Sequence, residues 1–493
     1  MAKYAVLPLV CKSTYSAGSA FRRRGDIAQL IRALPWHGRG PGFESLYLHH
    51  DNSRFVVTGY YRILRPMKPL IRYLLERSTA RYLNKHKPLL ILVTGSVGKT
   101  STKMAIATVL AEHYKVRVHE GNHNTHFSVP AAIMGVDYPD NPRSPVQWLN
   151  VLKAMKLRID QPRDVDAIVQ ELGTDAPGDI AGFTRYLKPD VAVVTAVSEE
   201  HMEFFGTLEA VAKEELSIAK SAKLLVVGRD DVAESFAGYA DISNVDTYGL
   251  SEKAEYRLAV EPASPLDGRI GRLVTPEWGE LSVTLQLIGD HSLKAAVAAA
   301  CVGSKLGLTS QEIIMGLSKI KPVSGRMNVL RGVNQSTIID DTYNSSPLAT
   351  SAALQTLMAI EAPQRIAILG SMNELGATSA AAHERAGQLC DGGKIEWVIT
   401  IGADAERYLA PAAAAKGCQV RSFKSPFEAG GFVHKVVAPG AVILAKGSQN
   451  GVFAEEAVKV LLHSTEDETQ LVRQSSHWLH AKDKQFEITV KDI

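Results

Sequence analysis

The stretch Leu89-Leu-Ile-Leu-Val-Thr-Gly-Ser-Val-Gly-Lys-Thr-Ser-Thr102 carries the densest chemistry in the chain. An apolar run ends in a turn bearing Gly95 and Gly98, and Lys99 and Thr100 close that turn. Glycines let a backbone fold tightly enough for its N–H groups to face an anion. A helix opening at Thr100 adds the positive end of its dipole. A lysine in the place of Lys99 reaches β- and γ-phosphates, and a hydroxyl in the place of Thr100 binds Mg²⁺. Thr94, Gly95, Ser96, Val97, Gly98, Lys99, Thr100 and Ser101 are therefore expected to hold ATP. Strand, turn and helix all fall where a phosphate loop needs them, which weighs against a chance Gly-Lys-Thr.

Two more polar residues stand at expected strand ends, where open α/β sheets place ligands. Glu171 ends Asp166-Ala-Ile-Val-Gln-Glu, and His201 follows Val191-Ala-Val-Val-Thr-Ala-Val-Ser-Glu-Glu. Ser324-Gly-Arg-Met327 marks a junction, and Asp340 and Asp341 end a later apolar run. Taken singly, each has a bland reading. Glu171 suits a solvated strand end and His201 a helix cap. Arg326 suits a surface ion pair, and the two aspartates suit a turn.

The elements that must position these residues follow from the apolar pattern. Strands are expected at 89–93, 115–119, 166–171 and 191–197, and helices at 100–113, 207–220 and 291–306. Such alternation predicts a parallel sheet with helices on both faces. Short alternating runs over 245–288 suggest a β-rich excursion. A second α/β unit follows, with strands at 336–340, 365–369, 397–401 and 441–445. The expected fold class is α/β: a P-loop central domain with a parallel sheet over 89–322, then a Rossmann-like C-terminal domain over 323–465. A charged tail, 466–493, shows no chemistry of its own.

At 493 residues the chain should hold two or three domains. A hydrophobic content of 45% and a charged content of 22% suit a globular enzyme. The net charge of +3 is too small to argue for a nucleic-acid partner. Four cysteines without metal-ligand spacing, no apolar run of bilayer length and no signal-peptide core point to a cytoplasmic protein.

Residues 25–50 show no helical or strand periodicity. Asp26-Ile-Ala-Gln-Leu30 and Gly42-Phe-Glu-Ser45 are what the D- and T-arms of a transfer-RNA gene would encode, so 1–50 reads as a non-native extension. The segment 51–88 differs. Ile63, Leu64, Leu70, Ile71, Leu74, Leu75 and Tyr82 recur near helical spacing, and Arg62, Arg65, Lys68, Arg72, Arg77, Arg81, Lys85 and Lys87 make the other face basic. Pro66 and Pro69 are expected to interrupt it. Packing on the following domain is favoured over a weak peripheral membrane contact through 54–88.

The short loop Thr94-Gly-Ser-Val-Gly-Lys-Thr-Ser101 resembles that of the Mur ligase family, the ATP-dependent enzymes that build the peptide of peptidoglycan. The resemblance runs from about 89 to 475 and is nearest the MurF type, which adds D-alanyl-D-alanine to a UDP-muramoyl peptide. Glu171-Leu-Gly-Thr-Asp-Ala-Pro-Gly-Asp-Ile180 and His201-Met-Glu-Phe-Phe-Gly206 resemble segments whose Glu and His bind Mg²⁺. Gly325-Arg-Met327 resembles the arginine turn near the γ-phosphate, and Ile339-Asp-Asp-Thr-Tyr-Asn-Ser-Ser-Pro347 resembles a segment near the nucleotide. Leu369-Gly-Ser-Met-Asn-Glu-Leu-Gly376 is similar to the MurF signature, and Lys446-Gly-Ser448 matches a late family turn.

The resemblance implies catalytic roles for Lys99, Glu171, His201 and Arg326, and nucleotide contacts for Asp341, Tyr343 and Asn344. It implies Mg²⁺ at Thr100, Glu171 and His201. Where the family carries a carbamylated lysine, this chain is aligned with Glu215, a ready-made anionic oxygen ligand; Lys213 and Lys220 are the alternative positions. Asn124 is followed by Thr125 rather than a second asparagine, and His291-Ser-Leu-Lys-Ala295 lacks both family asparagines. The stretch before the phosphate loop is too short for the usual UDP-binding domain. The expected substrates are a UDP-linked muramoyl peptide and D-Ala-D-Ala or another amine. The alternatives are a folylpolyglutamate-synthetase-like ligase and a catalytically inactive nucleotide-binding partner subunit.

Overall fold

The computed structural model describes residues 61–486 apart from 262–265, 267 and 268. The reading of 1–50 lies outside the described residues. The chain first forms a long helix, Tyr61–His86, which runs through Pro66 and Pro69 without a break. The expected interruption is absent: Pro66 and Pro69 stand sixth and ninth in the helix, past the four N–H groups that need no partner, and the buried stripe packed on the central domain keeps the helix continuous. Ile71, Leu75, Thr79, Tyr82 and His86 are buried at a spacing of three to four, while Lys68, Arg77, Arg81 and Lys85 face outward. Arg72 Nη2 lies 3.0 Å from His126 Nδ1, so the helix grips the central domain as well as covering it.

Nine strands form the first sheet among the described residues. They are β1 (Leu89–Thr94), β2 (Val116–Val118), β3 (Ala167–Glu171), β4 (Val191–Val194), β5 (Leu224–Gly228), β6 (Val245–Gly249), β7 (Tyr256–Val260), β8 (Arg269–Thr275) and β9 (Gly279–Leu285). Their order is β2-β3-β1-β4-β5-β6-β7-β8-β9. The pairings are parallel from β2 to β7 and antiparallel from β7 to β9. The β-rich stretch is thus a continuation of the main sheet.

β1 is apolar from Leu89 to Val93 because both of its faces are covered. Ile91 and Val93 enter one core, and Leu90 and Leu92 enter the other. The helix Lys99–Leu110 packs against the alanine-rich helix Asp290–Lys305. Small side chains there let the two backbones approach closely, and Val109 Cγ1 lies where it would meet a Cβ at Gly303 within 3.2 Å.

A second sheet holds six strands: β10 (Asn328–Arg331), β11 (Thr337–Asp341), β12 (Arg365–Gly370), β13 (Trp397–Ile401), β14 (Gln419–Phe423) and β15 (Val442–Lys446). Their order is β10-β11-β15-β12-β13-β14, with only the edge strand β10 antiparallel. Alternate residues again serve two cores: Ile339 and Leu444 on one side, Ile338 and Ile443 on the other. In both sheets the strand order reverses beside a central strand, β1 in one and β15 in the other. Crevices open at the carboxyl ends of such strands.

Candidate active site

The phosphate loop is built into the end of β1. Gly95 sits at φ 122°, and a Cβ there would fall 2.3 Å from Thr195 Oγ1, so only glycine fits between β1 and the loop after β4. Ser96 fastens the turn: its N–H donates to Ala196 O at 2.9 Å and its hydroxyl to Ser198 O at 3.2 Å. The helix then opens at Lys99, with Gly98 as its N-cap.

Lys99 faces three carboxylates. Its Nζ lies 3.4 Å from Glu200 Oε2. Burial pushes the ammonium down, but the charges of Glu200, Glu215 and Glu171 outweigh it and hold the group above its ordinary value. Glu171 ends β3 beside β1, in register with Val93. It is buried, and its Oε2 has no hydrogen-bond partner. One turn along from Lys99, the buried Lys103 brings its Nζ to 3.4 Å from Glu171 Oε2 and donates to Gly121 O at 3.1 Å. Burial pushes this second ammonium down, and the Glu171 charge partly offsets that.

Glu215 is turned inward behind the loop. One oxygen accepts from the Thr94 hydroxyl, and the other accepts from Thr174 Oγ1 at 2.6 Å. Burial raises its carboxyl above the usual range, against the pull of Lys99. Lys213 and Lys220 are exposed, and Lys213 Nζ lies over the Tyr239 ring at 5.3 Å. Of the three positions, Glu215 is the one directed at the phosphate loop. Among the described residues no three or more His, Cys, Asp and Glu side chains are grouped as metal ligands.

The second sheet reaches this site through two side chains. Arg326 Nη2 donates to Thr100 Oγ1 at 3.1 Å, and its guanidinium stacks on the Tyr343 ring with Cζ 4.2 Å from the centroid. Glu374, from the segment after β12, accepts from His201 Nδ1 at 2.6 Å. His201 Nε2 faces Asp175 at 3.6 Å and Glu200 at 3.7 Å. Burial lowers the affinity of His201 for its proton, but Glu374, Glu200 and Asp175 more than restore it, so the imidazolium is held above its ordinary pKa. His201 at φ 51° and Glu374 at φ 63° both hold left-handed backbone, which costs a non-glycine residue about 1–2 kcal/mol. Strain of this kind persists where the surrounding structure imposes it, and it gathers at functional sites.

Family models match two long segments of the chain: the Mur ligase middle domain over residues 93–303 and the Mur ligase glutamate ligase domain over 325–449. The chain belongs to the Mur ligase family. The UDP-N-acetylmuramoyl-tripeptide--D-alanyl-D-alanine ligase of Bacillus subtilis (strain 168) is 28% identical over 333 residues, covering 66% of this chain and 66% of that protein. The Escherichia coli (strain K12) protein of the same name is 28% identical over 322 residues, covering 63% and 64%. The chain thus spans just under two thirds of the length of these two relatives. The solved structure of Thermotoga maritima MurF ligase in complex with ADP superposes with a TM-score of 0.66 at 25% identity, over 80% of this chain and 84% of that one.

Within this member of the family, Asp341 lies apart from the phosphate loop, buried in the second domain. Its carboxylate is buried against Lys446 Nζ at 2.7 Å, and Lys446 also donates to Asn344 O at 2.9 Å. The pair ties β11 to β15, directly opposite in register. Asp340 pins the arginine turn by accepting from Gly325 N at 3.1 Å. Lys103, Glu200 and Glu374 were not singled out from sequence. Lys103 had a legible signal, since it falls one helical turn after Lys99. Glu200 reveals itself only when the loop after β4 folds against Lys99, and Glu374 only when the two sheets meet.

Proposed function

We propose that this protein is an ATP-dependent ligase that joins an amine to a carboxylate through an acyl phosphate. The carrying observation is the meeting of Arg326 with Thr100 of the phosphate loop, which sets the charge of the second domain against the loop of the first. The reading also draws on the ADP with which the Thermotoga maritima ligase was solved. By likeness to the curated relatives, the carboxylate is that of a UDP-linked muramoyl peptide and the amine is D-alanyl-D-alanine. The place of action we assign is the cytoplasm, where such a precursor and ATP meet. No helix among the described residues is long and apolar enough to cross a membrane.

A substrate carboxylate oxygen bonds to the γ-phosphorus while the bond to the β–γ bridging oxygen breaks, releasing ADP. The amine nitrogen then bonds to the acyl carbon, phosphate leaves with its oxygen, and the nitrogen loses a proton. The work of the chain is positioning and charge neutralisation. Lys99 and the loop residues Thr94 to Ser101 hold the phosphates. Arg326 offsets charge on the transferred group, with Tyr343 behind it. Mg²⁺, when bound, supplies Lewis-acid stabilisation. Thr100 and Glu171 fit it, because the Glu171 Oε2 is a buried anionic oxygen without a hydrogen bond. His201 would hold a further ion only as the neutral imidazole, giving up the proton that Glu374, Glu200 and Asp175 favour, with Glu374 orienting its ring. Glu215, with both oxygens taken by hydroxyls, acts through the charge it sets beside Lys99.

The test is ATP-dependent phosphate release with a panel of acceptors: D-Ala-D-Ala, single D-amino acids and L-Glu. Release that depends on D-Ala-D-Ala and on the muramoyl peptide supports the reading. Release only with L-Glu moves the protein to a glutamate-adding activity, and nucleotide binding without release under any pairing makes it a binding subunit.

A further inference from the structure

The tail beyond residue 465, which shows no chemistry in sequence, reaches the nucleotide-facing loop. Between a short turn, Thr465–Gln470, and the helix Ser476–Phe486, the chain bends at Arg473, which holds left-handed backbone at φ 56°. That bend drives the guanidinium inward. Its Nε donates to Glu455 Oε1 at 2.8 Å and its Nη2 to Glu455 Oε2 at 2.7 Å, a two-pronged pair on a fully buried carboxylate. The remaining reach of the fork goes to backbone: Nη2 donates to Thr342 O at 2.6 Å and Nη1 to Tyr343 O at 2.9 Å.

Lys482, also buried, completes the set. Its Nζ lies 3.0 Å from Glu455 Oε1, bonds Glu456 Oε1, and donates to Arg473 O at 2.8 Å. Two carboxylates therefore face two cations. A buried ionic group of this kind adds little net stability, because desolvation offsets the attraction. Its geometry has a clearer use. Tyr343 N donates to Gly325 O at 2.9 Å, and the Tyr343 ring backs Arg326, whose Nη2 rests on Thr100. The Arg326 Nε is buried with no partner.

We infer that Arg473 is a positioning residue: it fixes the Thr342–Tyr343 backbone so that the Tyr343 ring holds Arg326 over the phosphate loop. Loss of the fork leaves Arg326 free to swing off the γ-phosphate position while the loop that holds the other phosphates stays intact. The inference rests on the ATP-ligase reading for the role of Arg326. The tail lies outside the segments that the family models match.

The test measures binding of ADP and of a non-hydrolysable ATP analogue, with Mg²⁺, to the full chain and to Arg473→Lys. The lysine keeps the charge beside Glu455 and loses the two-pronged grip. The preference for the ATP analogue over ADP is expected to fall roughly tenfold, the scale of one hydrogen bond to a charged group, with ADP binding unchanged. Arg473→Gln, which leaves Glu455 paired with Lys482, is expected to do the same, which covers the case in which Arg473→Lys does not fold. In an Arg326→Ala background, Arg473→Lys is expected to add no further loss. A folded Arg473→Lys with an unchanged preference, or with both nucleotides weakened in parallel, overturns the inference. Failure of the unaltered protein to bind ADP overturns the phosphate-loop reading instead, and the inference with it.

Discussion

On the proposed mechanism, Lys99 is the residue on which turnover is expected to depend most. It is held protonated by Glu200, Glu215 and Glu171, against the pull of burial. Lys99→Ala is expected to lower phosphate release on the order of 10²–10³-fold, the scale of losing one preorganised donor, with an unchanged circular dichroism spectrum. A near-normal rate would remove Lys99 from the mechanism. Glu215 offers a second check. Its carboxylate is permanent, so activity is expected to be indifferent to bicarbonate, and rescue of carbon-dioxide-depleted enzyme by bicarbonate would contradict this. Asp340 sets a pH dependence of stability rather than of rate. Burial, opposed by the Thr342 hydroxyl and N–H, pushes its carboxyl up to about 6, above its ordinary value near 3.8. Between these values the folded chain holds a proton that the unfolded chain has lost. Its contribution to stability therefore falls as pH rises through that window and is level above it. Asp340→Asn is expected to flatten this slope in a plot of melting temperature against pH; an unchanged slope would assign it to another group.

At the scale of elements, the helix Tyr61–His86 is bound by its buried stripe. Leu75 is fully buried, and Leu75→Ala is expected to cost about 2–5 kcal/mol in denaturant unfolding. A cost near zero would mean that the helix is not docked in solution. The helix was legible as an amphipathic pattern, but its passage through Pro66 and Pro69 was not. That continuity rests on the packing of the buried stripe against the central domain, which local sequence does not show. β1, β3, β11 and β15 were legible to within one residue because each carries a short apolar run that stops at a polar residue or turn, whereas β4 ends at Val194, three residues short of the expected 197. The end of the helix at Leu216, followed by a tighter turn over Ser217–Ser221, reads in sequence as one longer helix because apolar spacing does not distinguish the two.

At the scale of the whole molecule, the phosphate loop, Glu171, His201 and Arg326 were legible because each sits in a short, ordered motif at a strand or turn end. Glu374 and Arg473 were not, because their meaning lies in contacts between residues far apart in sequence. Asp341 was legible as a position but not in its role, since its partner Lys446 comes from another strand. The central claim is that both domains build one site where ATP activates a carboxylate. The most direct measurement labels the carboxylate of the muramoyl peptide with a heavy oxygen isotope and follows the label during turnover with D-Ala-D-Ala. An acyl phosphate requires one labelled oxygen to appear in the released phosphate at each turnover, and that is the expected result. Phosphate released without label while the amide product forms would contradict it.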